Sequence, residues 1–260
     1  MQTTLLAHHW EGLQEAQAPT LLFCHGYLGH RGIWESISPA FAQSHRLLLA
    51  DLPGHGQSPV YSACHTMEFM AEKLVELMNE KQIQQLDFVG HSMGGYVGLA
   101  LLDNHPERLR SLTLVNSSCK ADGEERKQNR LRSIDLAKKS RASYIRATLR
   151  SLFPGGFENG HADAVEKAIE IGKNTPLDGV SAALRGMRER PDRCHLLQAS
   201  VPVYFVAGKN DPVLLWEELL PIHQSLPTHR QWINEGGHMS MLEDPEGLIK
   251  ALQGFLAPKS

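Results

Sequence analysis

The chain has 260 residues, 42% hydrophobic and 21% charged, which is the composition of a folded domain and excludes a disordered chain. That length lies between one ordinary domain and two, so one large core with an insertion is expected. A formal net charge of −3 is too near neutral to point to nucleic acid or a membrane surface as the main partner.

Residues 1–17, MQTTLLAHHWEGLQEAQ, carry neither a basic start nor a long apolar stretch, so neither a signal peptide nor an anchor is expected. Short apolar runs then alternate with helical patterns. TLLFCHG (20–26), RLLLADL (46–52), LDFVGHS (86–92), LTLVNSS (112–118) and VPVYFVAG (201–208) read as strands, and RQWINEGGH (230–238) as a weaker sixth. The strong runs are apolar at successive positions, as strands buried on both faces are. Helices are predicted at 66–82, where Thr66 can cap and Phe69, Leu74, Leu77 and Met78 can share a face, at 94–106, and at 245–256. Between about Cys119 and Ser200 only helical patterns occur. The expected fold is α/β, a mostly parallel, doubly wound sheet built from 1–118 and 201–260, with 119–200 inserted as a helical cap.

Cys24, Cys64, Cys119 and Cys194 form no C-x-x-C pair, and their wide spacing suggests neither a zinc site nor a disulfide framework. Reduced thiols in a cytoplasmic protein are expected, with Cys24 in the core.

The stretch VGHSMGG (89–95) places Ser92 between Gly90 and Gly94, directly after a strand and before a helix. A sharp strand-to-helix turn that exposes a serine hydroxyl needs glycine on both sides, because a side chain there would strike the neighbouring chain. A serine is a weak nucleophile without a base, and the base needs an orienting acid. Of 14 histidines, His238 lies between the last strand and the last helix, behind two glycines. Asp211 lies in the loop after the preceding strand. Ser92, Asp211 and His238 thus follow in the order such a site requires on this architecture. Two backbone amides, of Met93 and Tyr27, are the candidate donors to an oxyanion. Asp51 and His55 are given no catalytic role, and His25 a structural one.

HGYLG, DLPGHGQS, GHSMGG, AGKNDP and GGHMSMLEDP together resemble the α/β-hydrolase superfamily, whose serine enzymes include carboxylesterases, acylglycerol lipases, lactonases, C–C bond hydrolases and cofactor-free perhydrolases; a capped carboxylesterase is the leading expectation. The resemblance covers nearly the whole chain outside the cap. It implies a Ser–Asp–His hydrolase of small-molecule esters with no metal, no cofactor and no membrane anchor; oligomeric state is not implied. A menaquinone-pathway lyase of the superfamily, 2-succinyl-6-hydroxy-2,4-cyclohexadiene-1-carboxylate synthase, is similar in DLPGHGQS and in the arginine-bearing stretch after NSS. It usually carries arginine where this chain has Tyr96. A ligand-binding or receptor-like protein on the same scaffold is a third reading.

Residues 119–150 hold ten Lys or Arg against four Asp or Glu. Arg126, Arg130 and Arg132 either draw in an acidic substrate or form a solvated helix face. Phe153, Phe157 and Met187 either line an acyl pocket or pack in the core.

Overall fold

A computed structural model of the protein describes residues 4–155 and 158–257. Seven strands form one sheet: β1 (His8–Gly12), β2 (Thr20–Cys24), β3 (Arg46–Ala50), β4 (Leu86–His91), β5 (Leu109–Val115), β6 (Val203–Gly208) and β7 (Gln231–Asn234). Their spatial order is β1-β3-β2-β4-β5-β6-β7. All neighbours are parallel except β1, which pairs antiparallel with β3. β2 and β6 are buried at every residue, as their unbroken apolar runs require. The sequence reading passes over β1. This edge strand, HHWEG, is half-exposed and polar, so it lacks the apolar signal of its neighbours.

Two helices flank the first half of the sheet, α1 (Met67–Glu80) and α2 (Met93–Asn104), and they pack on each other. Thr66 caps α1 by accepting from the Phe69 amide at 3.1 Å. Leu74, Leu77 and Met78 are buried as expected, but Phe69 is only half-buried. Its ring stacks on His65 instead, with centroids 5.5 Å apart. Among the described residues, four helices lie between β5 and β6: α3 (Glu124–Lys139), α4 (Arg141–Arg150), α5 (Glu158–Gly172) and α6 (Leu177–Glu189). α3 packs on α6, and α4 on α5. After β6 come α7 (Trp216–Ser225), the short α8 (Ser240–Glu243) and α9 (Pro245–Leu256). Asp244 caps α9 through the Gly247 amide. No helix among the described residues is long and apolar enough to cross a membrane.

The expectation of four reduced thiols does not hold. Cys119 and Cys194 are joined in a disulfide rather than held as thiols. They stand 75 residues apart, yet both ends of the insertion return to adjacent strands, which brings their Cα atoms to 4.8 Å. Linear spacing carries no trace of that closure. A cytoplasmic placement argued from four reduced thiols loses that support. Cys24 and Cys64 are free, and burial pushes the Cys24 thiol far up, away from reactivity.

Candidate active site

β4 ends in the middle of the sheet, and the chain turns there into α2 with Ser92 at φ 48° and ψ −114°. Positive φ strains a residue with a side chain, and surrounding contacts must hold it. A Cβ on Gly90 would lie 2.6 Å from the Gly94 carbonyl, and one on Gly94 would lie 2.6 Å from the oxygens of Cys24 and His25. Only glycine at both positions lets the elbow close against β2. Ser92 also occupies the N-cap of α2, where a serine ordinarily turns its hydroxyl back onto the helix amides. Its backbone angles prevent that, and no cap bond forms.

The hydroxyl meets His238 instead. Ser92 Oγ lies 2.9 Å from His238 Nε2, and His238 Nδ1 lies 2.7 Å from Asp211 Oδ2. A carboxylate only accepts, so Nδ1 carries the proton and Nε2 is left to accept from the serine. The three residues come from loops after β4, β6 and β7, at the carboxyl ends of the strands. Gly208 makes the meeting possible: a Cβ there would strike the Gly236 and Gly237 oxygens of the histidine loop. The amides of Lys209 and Asn210 donate to Asn234 and Gly236 at 2.9 and 3.0 Å and tie the two loops together.

Asp211 Oδ1 accepts from the amides of Val213 and Leu214 at 2.8 and 2.9 Å. Burial raises this carboxyl's pKa, but the His238 charge and these hydrogen bonds outweigh it and hold it below the usual range. Asp211 is thus an anion facing an imidazole.

Several supports have no motif of their own in the sequence. His91 Nε2–H donates to the His238 carbonyl at 2.9 Å, and the His238 amide donates to Leu152 O at 3.1 Å. Asn116 Nδ2 reaches Gly237 O at 2.8 Å and Asp211 at 3.5 Å, while its oxygen accepts from Ser240 at 2.6 Å. Glu243 accepts from the amides of Gly237 and Met239 at 2.6 and 2.7 Å. Glu243 lies inside GGHMSMLEDP, and His91 inside GHSMGG, so position in those motifs is the one signal that could find them.

Met93 is the first residue of α2, so its amide has no intrahelical acceptor and sits at the positive end of the helix. Tyr27 follows Gly26, where a Cβ would lie 2.6 Å from His91 Nδ1 and 3.1 Å from Ser92 Cβ. That contact brings the Tyr27 loop beside the elbow. Neither amide has an acceptor among the described residues. Asp51 is engaged elsewhere. It pairs with the Arg31 side chain and accepts from the amides of Arg31 and Gln57 at 2.8 and 3.0 Å.

Three histidines around this end of the sheet are buried and neutral. His25 accepts from Leu52 N–H at Nε2 and donates from Nδ1 to Gly26 O, at 2.9 and 2.8 Å. Burial lowers His25 to about 4, and lowers His55 and His91 to about 3. Above pH 6.5 neither folded nor unfolded chain protonates them. Below it the unfolded chain takes up protons that the folded chain refuses, so stability falls as pH falls, until the folded values of about 4 for His25 and about 3 for His55 and His91 are reached. Each histidine costs roughly 1.4 kcal/mol between pH 7.5 and 5.5, about 4 kcal/mol for three. We expect the urea midpoint to drop markedly between those two pH values; an unchanged midpoint would contradict this burial.

A cavity of about 320 Å³ opens on Ser92 and His238. Tyr27, Tyr96, Leu184, Met187 and Val213 form part of its wall, and α3 and α4 supply polar side chains. Met187 therefore lines it, whereas Phe153 is buried in the core and Phe157 lies outside the described residues. Arg126 and Arg130 line it too; Arg132 is exposed and bonds Asn129. Behind Tyr96 stands Arg190, its guanidinium 4.0 Å from the ring centroid. Among the described residues, no group of three or more His, Cys, Asp or Glu is placed to hold a metal ion.

Residues 19–245 match the model of a family described as the alpha/beta hydrolase fold. A protein named provisionally as the carbamate hydrolase RutD of Pseudomonas syringae pv. syringae (strain B728a) is 27% identical over 96% of this chain and 98% of its own length. 3-Oxoadipate enol-lactonase 1 of Acinetobacter baylyi is 26% identical over 92% of this chain and 89% of its own. Among solved structures, a thermophilic esterase from Thermogutta terrifontis superposes with a TM-score of 0.87 and 29% identity, covering 96% of this chain and 92% of the other.

Proposed function

The chain belongs to the alpha/beta hydrolase fold family, and from that premise we propose that it is a serine hydrolase that cleaves carboxylic esters of small or medium acyl chains through an acyl-enzyme. The observation that carries the reading is the unbroken chain from Ser92 Oγ through the His238 imidazole to the Asp211 carboxylate. α3 to α6 act as a cap over the cavity.

In this mechanism Ser92 Oγ attacks the ester carbonyl while its proton passes to His238 Nε2. Asp211 stabilises the imidazolium and keeps its ring in place. The amides of Met93 and Tyr27 donate to the oxyanion, where fixed dipoles replace mobile water. The tetrahedral intermediate collapses, and the alcohol leaves with the proton from Nε2. Water then gives its proton to the same nitrogen and attacks the acyl carbonyl, and Ser92 is restored. Esterase and lactonase relatives support this chemistry, since both names describe cleavage of a carboxylic ester bond. A cavity of about 320 Å³ suits a short acyl chain better than a long one.

A panel of p-nitrophenyl esters from acetate to palmitate tests the reading. Turnover should be greatest among the short and medium chains. Absence of turnover at every length would overturn it, and tight ligand binding without turnover would favour a receptor-like protein instead.

A further inference from the structure

The cavity that opens on Ser92 is lopsided in charge. Arg126, Asn129, Arg130 and Ser133 line it from one face of α3, as spacings of three and four residues require. Among the described residues that line it, none is Asp or Glu.

The two guanidinium groups are poorly neutralised. Asp122 is buried and lies between Arg130, at 2.6 Å, and Arg190, at 2.8 Å. Burial raises the Asp122 carboxyl, but the hydrogen bonds and charges of the two arginines hold it below its usual range. One carboxylate therefore faces two guanidiniums, and one positive charge is left over. The acid nearest Arg126 is Glu218, 3.9 Å away and itself 55% exposed, a weak partner. Arg126 Nη2 donates to Val213 O at 2.9 Å, which fixes this guanidinium at the cavity wall. Nη1 of Arg126 and of Arg130 has no protein acceptor among the described residues.

Surplus charge in a partly enclosed wall is unfavourable unless solvent or an anion answers it. A guanidinium presents paired N–H donors that match the two oxygens of a carboxylate. On the reading of Ser92 as the nucleophile of an ester hydrolase, we propose that the preferred substrates are esters or lactones bearing a second, free carboxylate. Arg126 and Arg130 seat that carboxylate while the ester carbonyl lies at Ser92.

Monoethyl glutarate and ethyl pentanoate test this, because they differ only in a terminal carboxylate against a terminal methyl. The wild-type protein should show kcat/KM at least about tenfold higher for the half-ester. That ratio should fall about tenfold or more in Arg126→Gln and in Arg130→Gln. It should also fall as sodium chloride is raised, since salt screens the attraction. Should Arg130→Gln fail to fold, the wild-type ratio and Arg126→Gln decide. Hydrolysis of ethyl pentanoate with no preference for the half-ester overturns this inference and leaves the hydrolase reading standing. So does a ratio unchanged in Arg126→Gln. No turnover of either ester overturns both.

Discussion

Replacing Ser92 with alanine is expected to lower kcat on any accepted ester by about 10⁴- to 10⁶-fold, with the protein still folded. The size follows from what is removed. Oγ is the atom that would bond the acyl group, and among the described residues no second hydroxyl is held against His238 Nε2. The fold should survive because alanine keeps the Cβ that already sits at φ 48°. The substitution therefore adds no backbone strain, and the lost hydroxyl makes no helix cap. Steady-state kinetics beside circular dichroism read both halves. Folded Ser92→Ala protein with activity within tenfold of wild type would remove Ser92 from the reaction.

Asp211→Asn should cost about 10²- to 10⁴-fold in kcat. The asparagine oxygen can keep the amides of Val213 and Leu214, so the loop holds its shape. Its NH2 group must then face His238 Nδ1, which becomes an acceptor. The ring proton moves to Nε2, and the nitrogen facing Ser92 can no longer take a proton. The imidazolium also loses its counter-charge. Asp51→Asn is the control, because that carboxylate is engaged by Arg31 and Gln57 rather than by a histidine. With both variants folded, a severe loss in Asp51→Asn and none in Asp211→Asn would show that the wrong carboxylate has been chosen.

Much of this architecture is legible in the sequence, and the reasons are local. β2 and β6 are buried at every residue, so they read as unbroken apolar runs. The elbow glycines are legible because a sharp turn leaves no room for a Cβ. Ser92, Asp211 and His238 are each marked by position, in the turn or loop that follows a strand. Elements governed by tertiary contact are not legible in this way. β1 is polar and half-exposed, and only its pairing with β3 makes it a strand. α7 contains Pro221, which argues against a helix in any local reading. Asn116 belongs to no motif of its own, yet it bridges the histidine loop and Asp211 through hydrogen bonds spanning 95 to 124 residues. The Cys119–Cys194 disulfide is likewise set by how the insertion closes, not by cysteine spacing.

The basic character of the insertion shows how a composition signal divides once side chains are placed. Arg126 and Arg130 point their surplus to the cavity, while Arg132 faces outward. Position on α3 thus divides the arginines: two line the cavity and one faces solvent.

In the proposed reaction Ser92 carries the acyl group during turnover. The most direct measurement mixes the protein with p-nitrophenyl acetate, quenches in acid within milliseconds, and maps the peptides by mass spectrometry. One acetyl group is expected, on the peptide containing Ser92, appearing before steady state and absent from Ser92→Ala. Turnover without any acetylated peptide, or with the acetyl group on another residue, would contradict it.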